Sequence, residues 1–390
     1  MQLTIIAPVL GEENNGTTVA VMNLVRAMKS KGHKVNIVCP DKNKRGVPGY
    51  YVVPTTNLGP LNPIIKANNV TIAKADKKII KEACKGSDVV HVTVPMFMGS
   101  HCAKYIKNEL GIPVTASFHC QAENFSSHIF NMMGNEVFNN YLYRRYNKKL
   151  YSHCSAIHYP TEFIKDEFEH VVGKTNDYVI SNGVKDTIKK IEVEKDERFK
   201  DKKIILFTGR LSKEKSHEVL VRAVSLSKYE SDIQLIFAGQ GPREKKIRKL
   251  SSKILTNQPL IGFFPSEELN RIINTADLYV HPSHAEIEAI ACLEAIKCGA
   301  VPVIANSPKC ATKAFALDDR SLFKVGDAKD LSDKIDYWFD HEEERKKMSV
   351  AYQESASVLS VEACMDQMET MFQDVINNEK KNNTLSRRAK

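Results

Sequence analysis

LTIIAPV at residues 3–9, a polar loop over 11–18, VAVMNLVRAMK at 19–29, then Gly32 and VNIV at 35–38 predict, in order, a strand, a loop, a glycine-closed helix and a second strand. The strands are apolar at nearly every position rather than at every second one. Such strands must be buried on both faces, which is the condition of a parallel sheet covered by helices. Further runs of the same kind follow at VVHVTV (89–94), IPVTASF (112–118) and AIHY (156–159), each separated by a helical stretch. This rhythm predicts a doubly wound α/β domain.

Between 185 and 202 the chain is mostly charged and cannot form a core strand. The α/β rhythm then restarts with KIILFTGR (203–210), IQLIFAGQG (233–241), PLIGFF (259–264), DLYVHPS (277–283) and AVPVIA (300–305), again with helices between. The expected organisation is an N-terminal domain over 1–184, a second Rossmann-like domain over 185–361, and a mobile basic tail over 381–390. Two such domains in series present strand ends to a cleft, where open α/β sheets take their ligands.

At 390 residues, with 42% hydrophobic and 26% charged residues, the chain is neither a disulfide scaffold nor disordered. Nine scattered cysteines without a C-x-x-C pair argue against a zinc site and for reduced, cytoplasmic thiols. The first apolar run breaks after about ten residues, too short for a secretory h-region with its cleavage site or for a span. Of the net charge of +9, most lies in the first 180 residues, so an anionic partner is expected for that half: nucleic acid, an anionic membrane or a phosphorylated substrate.

The stretch richest in chemistry is HPSHAEIEAIACLEAIKCGAVPVIAN at 281–306. Glu286 and Glu294 are eight residues apart. On a helix entered just after the first they would stand about 80° apart at different depths. Free amides around Ile287, Glu288, Ala289 and Ile290 would suit a diphosphate at the helix start. TGRLSKEK places Arg210 just after a buried strand and Lys215 five residues on, a planar donor fork and a mobile point charge that could neutralise two phosphates. Two carboxylates beside an anion site suit a ligand with hydroxyls at both ends and phosphates between, as in a nucleotide sugar.

The order Gly209-Arg210-Leu211, Lys215, Ala238-Gly239-Gln240-Gly241, Glu286, Glu294-Ala295 and Cys298-Gly299 resembles the retaining GT-B glycosyltransferases, the large family that includes sucrose synthase-like, mannosyl- and diacylglycerol glucosyltransferases. The resemblance implies two Rossmann-like domains facing a cleft, with a last helix over about 362–380 crossing back to the first. It implies that Arg210 and Lys215 bind the donor diphosphate, Glu286 the sugar hydroxyls and Glu294 the ribose, with Gly262 and Phe263 framing the nucleobase. It implies further that Gly16 and Thr17, opening the first helix, approach the diphosphate, and that His119 faces the reaction centre, contacting the donor sugar and positioning the acceptor. No cofactor and no metal are implied beyond the nucleotide sugar itself, UDP-glucose. Two positions depart from the family: Phe-Gly after the first glutamate is Glu288-Ala289, and the Gly after the lysine is Ser216. Glu288 is then either an extra sugar ligand or an exposed side chain.

Glu123, close to His119, is a candidate to orient it or to bind the acceptor. The segment after it interleaves Phe125, Phe130, Leu142, Tyr143 and Tyr146 with Arg144, Arg145, Lys148 and Lys149, an apolar side beside a cationic cluster as in interfacial helices. A second basic amphipathic segment runs over 64–86. Together with a resemblance to bacterial diacylglycerol glycosyltransferases, these predict a retaining transfer of glucose to a membrane lipid hydroxyl such as that of diacylglycerol. The enzyme is then peripheral on the inner face of the cell membrane, with no nucleic acid partner. The rival readings are a soluble or polysaccharide acceptor and, from another class, a non-catalytic basic protein that binds nucleic acid or membrane.

Overall fold

The computed structural model describes residues 1–10, 16–56, 59, 73–95, 98–126, 134–357 and 359–388. The chain divides into two units, Met1–Asn182 with Glu362–Lys390, and Gly183–Val361. The first break falls two residues before the position suggested by the charged stretch.

In the first unit the apolar runs form a seven-stranded sheet of β1 (Gln2–Ile6), β2 (Lys34–Cys39), β3 (Tyr50–Val52), β4 (Val89–Val92), β5 (Val114–Ser117), β6 (Ala156–Tyr159) and β7 (Asp177–Val179). Its order is β3-β2-β1-β4-β5-β6-β7, parallel throughout. The order reverses between β1 and β4, the switch point at which such sheets open a crevice. The helices are α1 (Gly16–Ser30), α2 (Lys77–Ala83), α3 (Met98–Glu109), α4 (Ala122–Ser126), α5 (Glu136–Lys149) and α6 (Glu162–Val172). Helix α1 turns Ala20, Val21, Leu24, Val25 and Met28 inward at helical spacing, and the chain leaves it through Gly32 at φ 80°.

The second unit repeats the plan with six parallel strands, β8 (Lys203–Thr208), β9 (Ile233–Ala238), β10 (Leu260–Gly262), β11 (Leu278–His281), β12 (Val301–Asn306) and β13 (Leu322–Lys324), in the order β10-β9-β8-β11-β12-β13. Its helices are α7 (His217–Leu226), α8 (Glu244–Ile254), α9 (Ser266–Thr275), α10 (Ile290–Lys297), α11 (Ala328–Asp340) and α12 (Glu342–Ser355). Trp338, the one tryptophan, is fully buried in its core.

The last helix, α13 (Val361–Arg388), belongs to the first unit from Glu362 onward. Lys31 bonds Asp366 and Glu369, and Tyr178 donates to Asp374 at 3.1 Å. Phe372 meets the His91 ring edge-on at 5.3 Å. Helical backbone runs on to Arg388, into the basic segment expected over 381–390, because that segment lacks glycine and proline and nothing in it stops a helix already nucleated. Among the described residues no helix is long and apolar enough to cross a membrane.

Candidate active site

Arg210, Glu214 and Lys215 follow the C-terminal end of β8, and Glu286 follows that of β11. The loops after β8 and β9 pack backbone on backbone: a Cβ on Gly239 would come within 1.9 Å of the Gly209 carbonyl oxygen, and one on Gly241 within 2.5 Å of that of Leu211. Only glycine fits there, which accounts for Ala-Gly-Gln-Gly and fixes where Arg210 emerges.

Lys215 ends a short 3-10 turn and its ammonium bonds the Glu286 carboxylate directly. Side-chain exposures of 17% and 15% make this a largely desolvated pair. Burial would raise the Glu286 pKa, but the Lys215 ammonium and His281 hold it down at about 2. Burial would likewise lower that of Lys215, yet the Glu286 and Glu214 carboxylates keep it above the ordinary lysine value. The His281 Nε2 lies 3.6 Å from Glu286. Arg210, a third exposed, reaches Glu214 at 3.5 Å, and Ser212 donates to the same carboxylate. The result is two cations and two carboxylates interlocked at the end of a parallel sheet.

The two-glutamate geometry expected from sequence is corrected. Glu286 is not at a helix mouth. It pairs in a strand-like bridge with Cys310, its N–H donating to the Lys309 carbonyl at 3.2 Å and its carbonyl accepting from Ala311 at 2.9 Å. Helix α10 begins only at Ile290, so Glu294 alone is helical and the 80° relation does not apply. Glu294 is half-buried and burial pushes its carboxyl up to about 7. Glu288 is 4% exposed, which removes the reading of it as a solvated side chain. Ile287 and Ile290 are half-buried, and Phe263, just past Gly262, is 64% exposed.

The two departures from the family pattern coincide with the only non-glycine residues at positive φ among those described, Ser216 at 52° and Ala289 at 64°. They cap α7 and α10, and neither makes a side-chain capping bond. A left-handed backbone suits glycine; here it is held with a Cβ present, at a cost of about 1 kcal/mol each.

In the first unit, His119 sits two residues past the end of β5, half-buried, beside the His158 ring at 5.7 Å. Burial and His158 lower its pKa to about 3, so it is neutral at any physiological pH. Gly16 opens α1 with Thr17 next, as expected. Glu123 is 1% exposed and accepts a 2.7 Å bond from the Tyr143 hydroxyl inside the domain. The apolar side of α5 is corrected. Leu142, Tyr143 and Tyr146 are buried, Tyr143 packing against Phe118 and Phe168, because a helix lying on a sheet spends its apolar face on the core. Arg144, Arg145, Lys148 and Lys149 remain exposed, with Val137 and Tyr141 for apolar company. Phe130 lies outside the described residues, as does much of the second basic segment, of which α2 is the described helix.

Sequence reading missed Ser212, Glu214 and His281, and a buried chain of His91, Thr115, Ser117 and His158. The available signal was a polar residue within each apolar strand, at VVHV, VTAS and AIHY.

Two family profiles match the chain: "Glycosyltransferase Family 4" over residues 14–187 and "Glycosyl transferases group 1" over 188–354. A GDP-mannose-dependent alpha-mannosyltransferase of Corynebacterium glutamicum is 24% identical over 96% of this chain and 89% of its own. The catalytic domain of cholesterol-alpha-glucosyltransferase from Helicobacter pylori is 53% identical over 39% of this chain and 96% of that one, with a TM-score of 0.38. Anabaena Alr3699/HepE in complex with UDP superposes with a TM-score of 0.76 at 14% identity, over 96% of this chain and all of that one. The two sheets, each doubly wound, are those of the GT-B fold. The chain belongs to the group 1 glycosyltransferases, with a family 4 domain as its first half.

Proposed function

We propose that the protein is a retaining hexosyltransferase that moves glucose from UDP-glucose to the hydroxyl of a membrane lipid, giving an α-glycolipid. The observation that carries the donor half is the buried Lys215–Glu286 pair beside Arg210 at the strand ends. When a sugar diphosphate enters, its phosphates take over the ammonium of Lys215 and the guanidinium of Arg210. Glu286, thereby released, accepts hydroxyls of the sugar. Both cations then stabilise the charge developing on the leaving diphosphate, in place of a divalent metal. Glu294 binds the ribose, Phe263 stacks on the base, and the amides of 287–290 face the phosphate and sugar. The leaving phosphate deprotonates the acceptor on the same face, which preserves the α configuration, while His119 aligns the acceptor hydroxyl as a neutral hydrogen-bonding group.

The lipid half rests on the cationic face of α5, which suits an anionic bilayer surface and would hold the enzyme on the inner leaflet. The sequence identity with a catalytic domain named for cholesterol brings a sterol hydroxyl forward beside that of diacylglycerol. A mannose donor is the second reading, favoured by the full-length relative named for GDP-mannose. The test is to offer UDP-glucose and GDP-mannose separately with lipid extracts and read the products by mass spectrometry. A hexose-bearing lipid from UDP-glucose supports the reading; sugar appearing only on soluble acceptors overturns it.

A further inference from the structure

Three strands of the first sheet bring buried imidazoles and hydroxyls into one line. The register pairs His91 with Thr115 and Ser117 with His158, so these side chains share one face of the sheet. His119, two residues beyond Ser117, continues that row past the strand end. His91 Nδ1 lies 2.9 Å from the Thr115 hydroxyl and its Nε2 2.8 Å from that of Ser117. The Ser117 hydroxyl is 2.7 Å from His158 Nδ1, and His158 Nε2 is 2.7 Å from the carbonyl oxygen of Ile180.

The carbonyl fixes the direction of every bond. It can only accept, so His158 Nε2–H donates to it. Burial lowers His158 to about 4, so the ring is neutral and its Nδ1 must accept from Ser117. With its proton spent, Ser117 accepts from His91 Nε2–H. His91 is neutral also, its pKa lowered by burial and then by the other imidazoles, so its Nδ1 accepts from Thr115. Each proton is used once and one arrangement satisfies all four bonds.

The last member of this chain, His158, meets the His119 ring at an interplanar angle of 77°. Neither nitrogen of His119 has a hydrogen-bond partner among the described residues, so packing sets its orientation and its nitrogens are open to a ligand. A small cavity lined by His119, His158, Ser117, Asn182 and the side chains of Leu24 and Met368 adjoins them. We infer that Ser117 and His158 are positioning residues for glycosyl transfer: they lock the His119 ring, and thereby align the acceptor hydroxyl. The inference rests on the reading of His119 as the group that meets the acceptor.

The experiment is a double-mutant cycle in the full chain, on variants with parent-like far-UV spectra and cooperative melts. Ser117→Ala and His158→Gln should each lower kcat about tenfold, with donor KM unchanged. In a His119→Ala background the same substitutions should change turnover less than about twofold. Ser117→Thr, which keeps the hydroxyl, should restore most of the rate. Equal losses with and without His119 overturn the positioning role, whereas parent-like turnover of His119→Ala alone overturns the reading beneath it. Nitrogen-15 spectra of labelled histidines in the unsubstituted chain give an independent check: His158 and His91 should both be Nε2–H tautomers, and an Nδ1–H tautomer at His158 contradicts the assignment.

Discussion

The two units build the same sheet twice and finish it with opposite chemistry. At the strand ends of the second sheet Arg210, Glu214, Lys215 and Glu286 are charged, interlocked and largely desolvated. At those of the first, His91, Ser117, His158 and His119 form a row that burial keeps neutral. A diphosphate is matched by the first kind of surface and an uncharged hydroxyl by the second, so the charge pattern of the fold assigns the donor to one unit and the acceptor to the other in the proposed reaction.

The sharpest way to break this contrast is to remove one cation at a time. Arg210→Ala and Lys215→Ala should each lower turnover by about 10²-fold or more, since each removes a donor to the leaving group. Their stabilities should differ. Arg210 is a third exposed and its loss should cost little, whereas Lys215→Ala strands a buried carboxylate and should cost about 3 kcal/mol, read by thermal or denaturant melts. The same pair makes a pH statement. The Glu286 pKa is depressed, so its contribution to stability is complete above the ordinary carboxylate value near 4.5 and is lost as pH falls toward 2.

The α5 surface gives the next effect. Replacing Arg144, Arg145, Lys148 and Lys149 by Gln removes about 1 kcal/mol of attraction per cation. Binding to anionic vesicles, measured by sedimentation, should fall by orders of magnitude at low salt and by less at high salt. Donor hydrolysis by water should survive, and vesicle binding that persists would return this face to an ordinary solvated one.

Glu294 should respond in the opposite sense to Glu286. Its folded pKa, about 7, lies above that of the unfolded chain, so ionisation opposes folding and stability falls as pH rises from about 4.5 to 7. Glu294→Gln should therefore stabilise the ligand-free protein by about 1–2 kcal/mol at pH 8, leave it unchanged at pH 4, and weaken donor binding in calorimetry. The smallest effect is backbone relief. Ser216→Gly and Ala289→Gly should each raise stability by about 0.5 kcal/mol, the left-handed strain released being partly offset by the entropy of a freer unfolded chain.

The continuous apolar runs showed both sheets in the sequence because a strand buried on both faces is apolar at nearly every position. The emergence of Arg210 from β8 was legible because the loop after β9 packs on it through positions that only glycine fits, as Gly239 and Gly241 demonstrate. The bridge of Glu286 to Cys310 was not, since it depends on a loop following β12 in a register that only the folded sheet sets. The apolar side of α5 misled for a related reason: periodicity reports that a face is buried, but not whether core or lipid covers it. The histidine chain was missed because each member alone reads as one polar residue in an apolar strand, and its meaning lies in register between strands.

The measurement that bears most directly on the whole account is the structure of the product made from UDP-glucose on vesicles containing a sterol or diacylglycerol. Proton NMR of the purified lipid should show one added glucose with the small anomeric coupling of an α linkage. A β-linked product, or UDP-glucose consumed with no sugar entering the lipid phase, would contradict it.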